Sequence, residues 1–559
     1  MKKLFLIILM IINILCFGYY FEIDHCSDKI VFEGFGQFTD MSYKGEIIDI
    51  IEEDEIEEIK LVIVGKSNFN FNVDLKEGLT DAEAEKIQYM RRKAGAAYYK
   101  EFNQELLENI PEYNYKNVYV SKYFPQITLD VDANEVMSNN SSLLNQLSKI
   151  DAIETIFVQN NNVIVDKILG AMHLMSVNNE IFEGTLTGSG VKVGMIESGI
   201  IDVDNTNFEN ITVEARDAWY FIEHVTDHAT TMASCIGGKE GIARGASIYS
   251  VQGAGNPSGE IDWLLDKGVN VINCSYGYGT VNGQYSSHSA TYDYAIWTYG
   301  VSVIASSGNE ESDENDYYIS NPGLAHNAIT VGGAFNAICA WGHSCYQEVS
   351  DIDKPTLVSP ADDIQTQNAM ESGSGTSYSC AFTTGCAALL MELCPDLKVY
   401  PAKLTALLSA CAFNMDYPSN LDSGLDEYVG AGLLNFAECK DSINNCISGT
   451  SSSTDQADDY IIDQDVYLEA GKELCIAVAW CGKSNDSVSS WQLNNYTLCL
   501  FRPAGAQIDF KYSLYNNVLL LRYTTQYTGN YNILLIQEGD LVYSDPTNIF
   551  IYYSVRDVE

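Results

Sequence analysis

Five short runs dominate the middle of the chain: "VKVGMIES", "ASIYSVQ", "VNVINCSYG", "VSVIASSGN" and "AITVGG". Each is nearly all apolar, without the alternation of a strand that has one wet face. Helical stretches separate them. Strands buried on both sides read this way, so the pattern predicts an α/β unit with a parallel sheet and helices on both faces. Each run closes in Gly, Ser, Asn or Glu. Ligands of such sheets bind beyond the carboxyl ends of the strands. That rule puts Glu197, Ser275 and Asn309 on the working edge.

At 559 residues the chain exceeds one ordinary core. From about residue 57, "EIKLVIVG" reads as a strand and "LTDAEAEKIQYMRRKAGAAYYKEFNQELLENI" as a long amphipathic helix behind a Thr/Asp cap. Two strands broken near Pro125, a second helix in "ANEVMSNNSSLLNQLSKI" and a final strand "IETIFVQ" complete a β-α-β-β-α-β order. Residues 446–460 turn small and polar, as a linker does, and strand-like runs over 461–559 fit a β-sandwich.

Two lysines followed by a compact apolar run, in residues 1–20, have the layout of a signal peptide, which predicts export. The net charge of −45 argues against nucleic acid or anionic lipid as partners, and no membrane contact is expected beyond that segment. Export permits disulfides, and there are 15 cysteines. Cys235, Cys274, Cys380, Cys386 and Cys411 sit in apolar or small-residue patterns and read as buried thiols. Cys339/Cys345, Cys439/Cys446 and Cys475/Cys481 are the better bridge candidates. Asp202 and Asp204 could serve a structural calcium, but no complete loop pattern supports it, and no metal site or required cofactor is expected. Asn210, Asn485 and Asn495 head N-x-[ST] triplets.

In "GSGTSYSCAFTTGC", Ser377 stands where a helix begins. A serine hydroxyl needs a base, and the base needs an orienting group. "TDHATTMASCIGG" offers His228 at a helix start, and "VGMIESG" offers Glu197 at a strand end. His228 would take the proton of Ser377, and Glu197 would hold the other imidazole nitrogen. The Asn309 amide and the Ser377 N–H would serve an oxyanion.

Four segments in order, "VKVGMIESGI", "DHATTMASCIGG", "VIASSGNEES" and "GTSYSCAFTTGCAALL", resemble the signature blocks of subtilisin-like serine proteases. "IDWLLDKGVNVINCSYG" and "KPTLVSPADDI" match secondary blocks, and the resemblance covers 166–445. It implies a secreted endopeptidase acting on proteins or peptides through an acyl-enzyme. It also implies that residues 21–165 are a leader and propeptide, an intramolecular inhibitor that the enzyme itself removes. Backbone around Ser275, Tyr276 and Gly277, and around Ser306 and Gly308, would bind substrate. One departure stands out: Glu197 fills the place of the family's aspartate. The extra methylene moves the carboxylate by about 1.5 Å. Asp202 or Asp204 could substitute for it, and an inactive scaffold that displays its β-sandwich for binding is the alternative reading.

Overall fold

The computed structural model describes residues 30–33 and 58–557, apart from 133–142, 171–184, 217–224, 310–316, 365–372, 453–458, 485–490 and several shorter stretches. The expected signal segment and Asn485 lie outside the described residues.

The N-terminal body has strands β1 (Ile30–Glu33), β2 (Glu58–Gly65), β3 (Asn117–Val120), β4 (Gln126–Asp132) and β5 (Ile153–Gln159). Their order is β1-β5-β2-β4-β3. Helices α1 (Asp81–Asn109) and α2 (Leu143–Leu147) complete the expected order. The extra strand β1 pairs parallel with β5. The second helix is described over Leu143–Leu147 alone, much shorter than its sequence pattern, and the leucines at its two ends are buried in the small core of this body.

Helix α1 starts with a capping box. Glu83 N donates to the Thr80 hydroxyl at 3.3 Å, and Thr80 N donates to the Glu83 carboxylate at 3.0 Å. Such reciprocal capping is worth about 1 kcal/mol. Its buried stripe is Ala84, Gln88, Arg91, Gly95, Tyr99, Asn103 and Leu106, at helical spacing. That stripe is largely polar, so α1 needs hydrogen-bond partners as well as apolar neighbours.

Two short strand pairs flank the central unit: β6 (Val163–Ile164) with β12 (Gly277–Tyr278), and β7 (Leu169–Gly170) with β16 (Gly373–Ser374). The central sheet itself has strands β8 (Lys192–Glu197), β9 (Val213–Arg216), β10 (Ser247–Gln252), β11 (Val271–Cys274), β13 (Ser302–Ser306), β14 (Ile329–Ala334) and β15 (Leu357–Pro360). They form a seven-stranded parallel sheet, ordered β15-β14-β13-β11-β8-β10-β9. Alternation along each strand sends Val193, Met195, Val271 and Ile304 into one cluster with helices α3 (Asp227–Gly237) and α6 (Thr376–Leu393). It sends Ile196, Ile272, Cys274 and Val303 into another with α4 (Pro257–Lys267) and α5 (Ser287–Tyr299). Helices therefore cover both faces.

The C-terminal domain is two four-stranded antiparallel sheets. The first comprises β17 (Cys446–Ser451), β19 (Lys472–Trp480), β24 (Val518–Thr524) and β26 (Thr547–Asp557), in the order β17-β26-β19-β24. The second comprises β18 (Tyr460–Leu468), β22 (Asn495–Phe501), β23 (Gln507–Tyr512) and β25 (Gly529–Glu538), in the order β18-β25-β22-β23. A hairpin of β20 (Lys483–Ser484) and β21 (Trp491–Gln492) lies beside them. Inward side chains such as Ile462, Leu474, Leu498 and Ile551 fill the space between the sheets.

Two expectations are corrected. The stretch read as a linker opens with β17, which pairs with β26 over Cys446–Ser451. It is an edge strand, where small polar residues are tolerated because only one side must pair. A Cβ at Gly449 would stand 2.9 Å from Ile462. The bridge candidates are also unbonded: every described cysteine is a free thiol. Cys475 and Cys481 are separated by an extended run of about 20 Å, far beyond disulfide reach. Cys345 is buried beside Ile319 and Leu324 while Cys339 is exposed. The Cys439 thiol faces Cys411 rather than Cys446.

Candidate active site

Glu197 is the last residue of β8 and is fully buried. A buried carboxylate needs donors. Asn273 Nδ2 at 3.1 Å and Ser275 N at 3.2 Å donate to its Oε1. Its Oε2 lies 3.3 Å from His228 Nδ1. That contact is at ion-pair distance but is not aligned as a hydrogen bond. His228 occupies the first turn of α3, whose cap is Thr226, accepting from Ala229 N. The cap fixes where the imidazole leaves the backbone.

Ser377 is in the first turn of α6, after Gly375 at the N-cap position. The cap makes no side-chain bond there, so Ser377 is not the cap. Its hydroxyl donates to the Ser275 carbonyl at 3.3 Å, and the Ser275 hydroxyl donates to the Ser377 carbonyl at 3.0 Å. Ser275 thus touches both Glu197 and Ser377. Residues far apart in the chain converge on one point at the carboxyl ends of β8 and β11. The Ser377 hydroxyl makes no bond to an imidazole nitrogen in this resting arrangement. Catalytic hydrogen bonds are often long or misaligned before substrate binds.

Asn309 follows β13 and Gly308, whose φ of +107° suits glycine. The Asn309 Oδ1 accepts from Thr376 N at 2.9 Å and from the Thr376 hydroxyl at 3.0 Å. Its Nδ2 is buried and bonds to no described group. Fixed oxygen and unspent amide hydrogens are what an oxyanion donor requires. The Thr376 hydroxyl also accepts from Gly308 N at 3.2 Å, which ties the loop to the helix start.

The other expected residues divide. Gly277 pairs backbone to backbone with Ile164. Tyr276 is buried, and its hydroxyl contacts His288 Nε2 and the Tyr292 hydroxyl at 2.7 Å each. The Ser306 hydroxyl donates to the Cys274 carbonyl at 3.4 Å. At these two positions the side chains are spent on the core. Asp202 accepts from Asp204 N at 3.1 Å in a local turn. Asn273 and Thr376, which hold Glu197 and Asn309, were not expected from sequence. The polar Asn273 inside an otherwise apolar strand was the signal that could have drawn attention to it.

A buried acid beside an imidazole, with a serine at a helix start on a parallel sheet, is the layout of the subtilisin-like class. The "Subtilase family" model matches residues 149–432, and the chain belongs to that family. The chain is 24% identical over 255 residues to a cuticle-degrading serine protease of Arthrobotrys oligospora, covering 43% of this chain and 61% of that one. It is 30% identical over 226 residues to alkaline protease 1 of Aspergillus clavatus, covering 37% and 54%. The chain thus spans about six tenths or less of the length of these relatives. Among solved structures it is similar to the PatG macrocyclase domain, with TM-score 0.39 and 20% identity over 48% of this chain and 98% of that one. The self-cleaved protease domain of PatA is similar too, with TM-score 0.38 and 19% identity over 46% and 97%.

Proposed function

We propose that the chain is a secreted serine endopeptidase whose relay is Glu197, His228 and Ser377. His228 Nε2 takes the proton as Ser377 Oγ attacks a peptide carbonyl. Asn309 Nδ2 and the Ser377 N–H receive the negative oxygen, helped by the positive end of α6. His228 then protonates the leaving amine, and water hydrolyses the acyl-enzyme by the reverse sequence. Glu197 keeps Nδ1 protonated and offsets the charge of the imidazolium. The steps use only the chain's own groups and call on no cofactor. The observation that carries this reading is the convergence of the three groups, with His228 Nδ1 3.3 Å from Glu197 and both Glu197 and Ser377 bonded to Ser275.

The reading extends to maturation. Ile164 pairs with Gly277, and Leu169 pairs with Ser374, three residues before Ser377. Only residues 165–168 separate these two short pairings in the sequence, and the cut that frees the N-terminal body is proposed there. The N-terminal body would be the propeptide and the first residues a signal. An inactive scaffold is favoured only by the glutamate at 197. Purified wild type should digest casein and carry a new terminus within 165–169, and Ser377→Ala should do neither. Intact chains and no digestion in both would defeat the enzyme reading.

A further inference from the structure

The two outer faces of the C-terminal sandwich are unlike. That of the first sheet carries Cys475, Ala477, Ala479, Val518 and Leu520, which join the main core of the central unit. That of the second sheet points to solvent. Strand alternation places Asp463, Asp465 and Tyr467 of β18 on it, because Ile462, Val466 and Leu468 face inward. Asp465 stands opposite Asn532, and Tyr467 opposite Asn530. An irregularity between Tyr460 and Ile462 turns Tyr460 to the same side, where it lines a groove with Asp463. At the other edge, Phe510 and Tyr512 face outward opposite Cys499 and Thr497.

This is an unusual surface for a solvated sheet. Tyr467 is 67% exposed, Tyr460 66% and Phe510 50%. The Phe510 and Tyr512 rings lie within 20° of parallel, their centroids 6.3 Å apart. Between the aromatic edges runs a groove of about 410 Å³ lined by Asp463, Asp465, Asn530, Asn532, Phe501 and Arg502, whose guanidinium lies over the Tyr527 ring. Asn532 Nδ2 donates to Asp463 at 2.7 Å and to Asp465 at 3.1 Å. The second oxygen of each carboxylate bonds to no described residue, so acceptors and amide groups stand ready in one row.

We propose that this face binds a neutral polysaccharide. Flat aromatic rings stack on the C–H faces of sugar rings, whereas carboxylates and amides bond to neighbouring hydroxyl groups in bidentate fashion. Four strands at about 4.8 Å spacing give a face about 14 Å wide, long enough for a short run of sugar units. Two carboxylates against the single Arg502 in the groove, on a chain of net charge −45, disfavour sulfated or uronic chains. The sandwich would then hold the central unit against a glycan-rich surface. The inference stands apart from the proteolytic reading, since binding would persist in a chain with no working relay.

The test is co-sedimentation of the full chain with insoluble chitin, cellulose and β-1,3-glucan, with heparin-agarose as the anionic comparison. Retention on at least one neutral polymer and none on heparin is expected. Tyr467→Ala and Phe510→Ala, both at exposed positions, should each weaken retention about tenfold. Peptide cleavage should stay unchanged in both. Failure to retain the chain on any neutral polymer would overturn the proposal. So would retention that survives both substitutions, or a dimer in solution that both substitutions dissolve, which would make the face a protein interface.

Discussion

Among the described residues, Thr376 holds the side chain of Asn309, the proposed oxyanion donor. Thr376 fixes Asn309 through two bonds to Oδ1 and leaves Nδ2 unspent. Asn309→Ala should lower kcat by about 100- to 1000-fold with KM nearly unchanged, as steady-state kinetics on a peptide amide would read. Thr376→Val removes the hydroxyl bond and keeps the backbone bond, so a smaller loss in the same parameter is expected. At the acid, Glu197→Gln should cost about a thousandfold or more, while Asp202→Asn should leave the rate near wild type. The reverse ranking would move the role to Asp202. Glu197, His228, Asn309 and Ser377 were legible in sequence because each closes or opens a recognisable element. Thr376 and Asn273 were not, because they act on residues that only the crossing of strands brings near.

Helix α5 carries Asp293, a fully buried carboxylate. It accepts from His326 N at 2.9 Å, Asn327 N at 2.6 Å and the Tyr285 hydroxyl at 2.9 Å. Burial nevertheless pushes it from an ordinary 3.8 up to about 6. A carboxyl group raised in the folded state favours the protonated fold. Its contribution is complete below about pH 3.8 and is lost as pH rises through 6. The stability gap between wild type and Asp293→Asn should therefore shrink between pH 4.5 and pH 7.5, by about 2 kcal/mol, in urea unfolding followed by fluorescence. A gap independent of pH would contradict this. At this scale the parallel strands and the sandwich strands were readable from apolar runs. Strand β17 was not, since its small polar residues carry turn chemistry and only pairing with β26 makes them a strand. The buried face of α1 escapes the apolar pattern for a related reason: Gln88, Arg91 and Asn103 are polar, yet tertiary partners bury them.

The three bodies share cores. Leu79 and Ala84 of the N-terminal body belong to the main cluster of the central unit, and Tyr99, Tyr123 and Phe124 to its second cluster. A Cβ at Gly95 would lie 2.7 Å from the Tyr299 ring, so α1 and α5 approach closely. Asp396, almost fully buried, accepts from Leu79 N at 2.6 Å, Gly78 N at 3.1 Å and Lys403 Nζ at 2.7 Å. Asp262 of α4 likewise accepts from Ser121 Oγ at 2.9 Å and Lys122 N at 2.7 Å. If the proposed cleavage occurs, the N-terminal fragment is expected to remain attached, giving two bands on a denaturing gel and one peak in size-exclusion chromatography. Asp396→Ala leaves Lys403 buried without its partner and should cost about 3–5 kcal/mol, loosening that peak. None of this was visible in sequence, because interface residues such as Ala477 and Gln88 look like ordinary strand and helix positions. Proteolysis by this chain requires Ser377 to be a nucleophile driven by Glu197 through His228. Mapping a fluorophosphonate adduct by mass spectrometry tests that most directly: it should sit on Ser377 in wild type and be nearly lost in Glu197→Gln. No adduct, an adduct on another residue, or equal labelling in both proteins would contradict it.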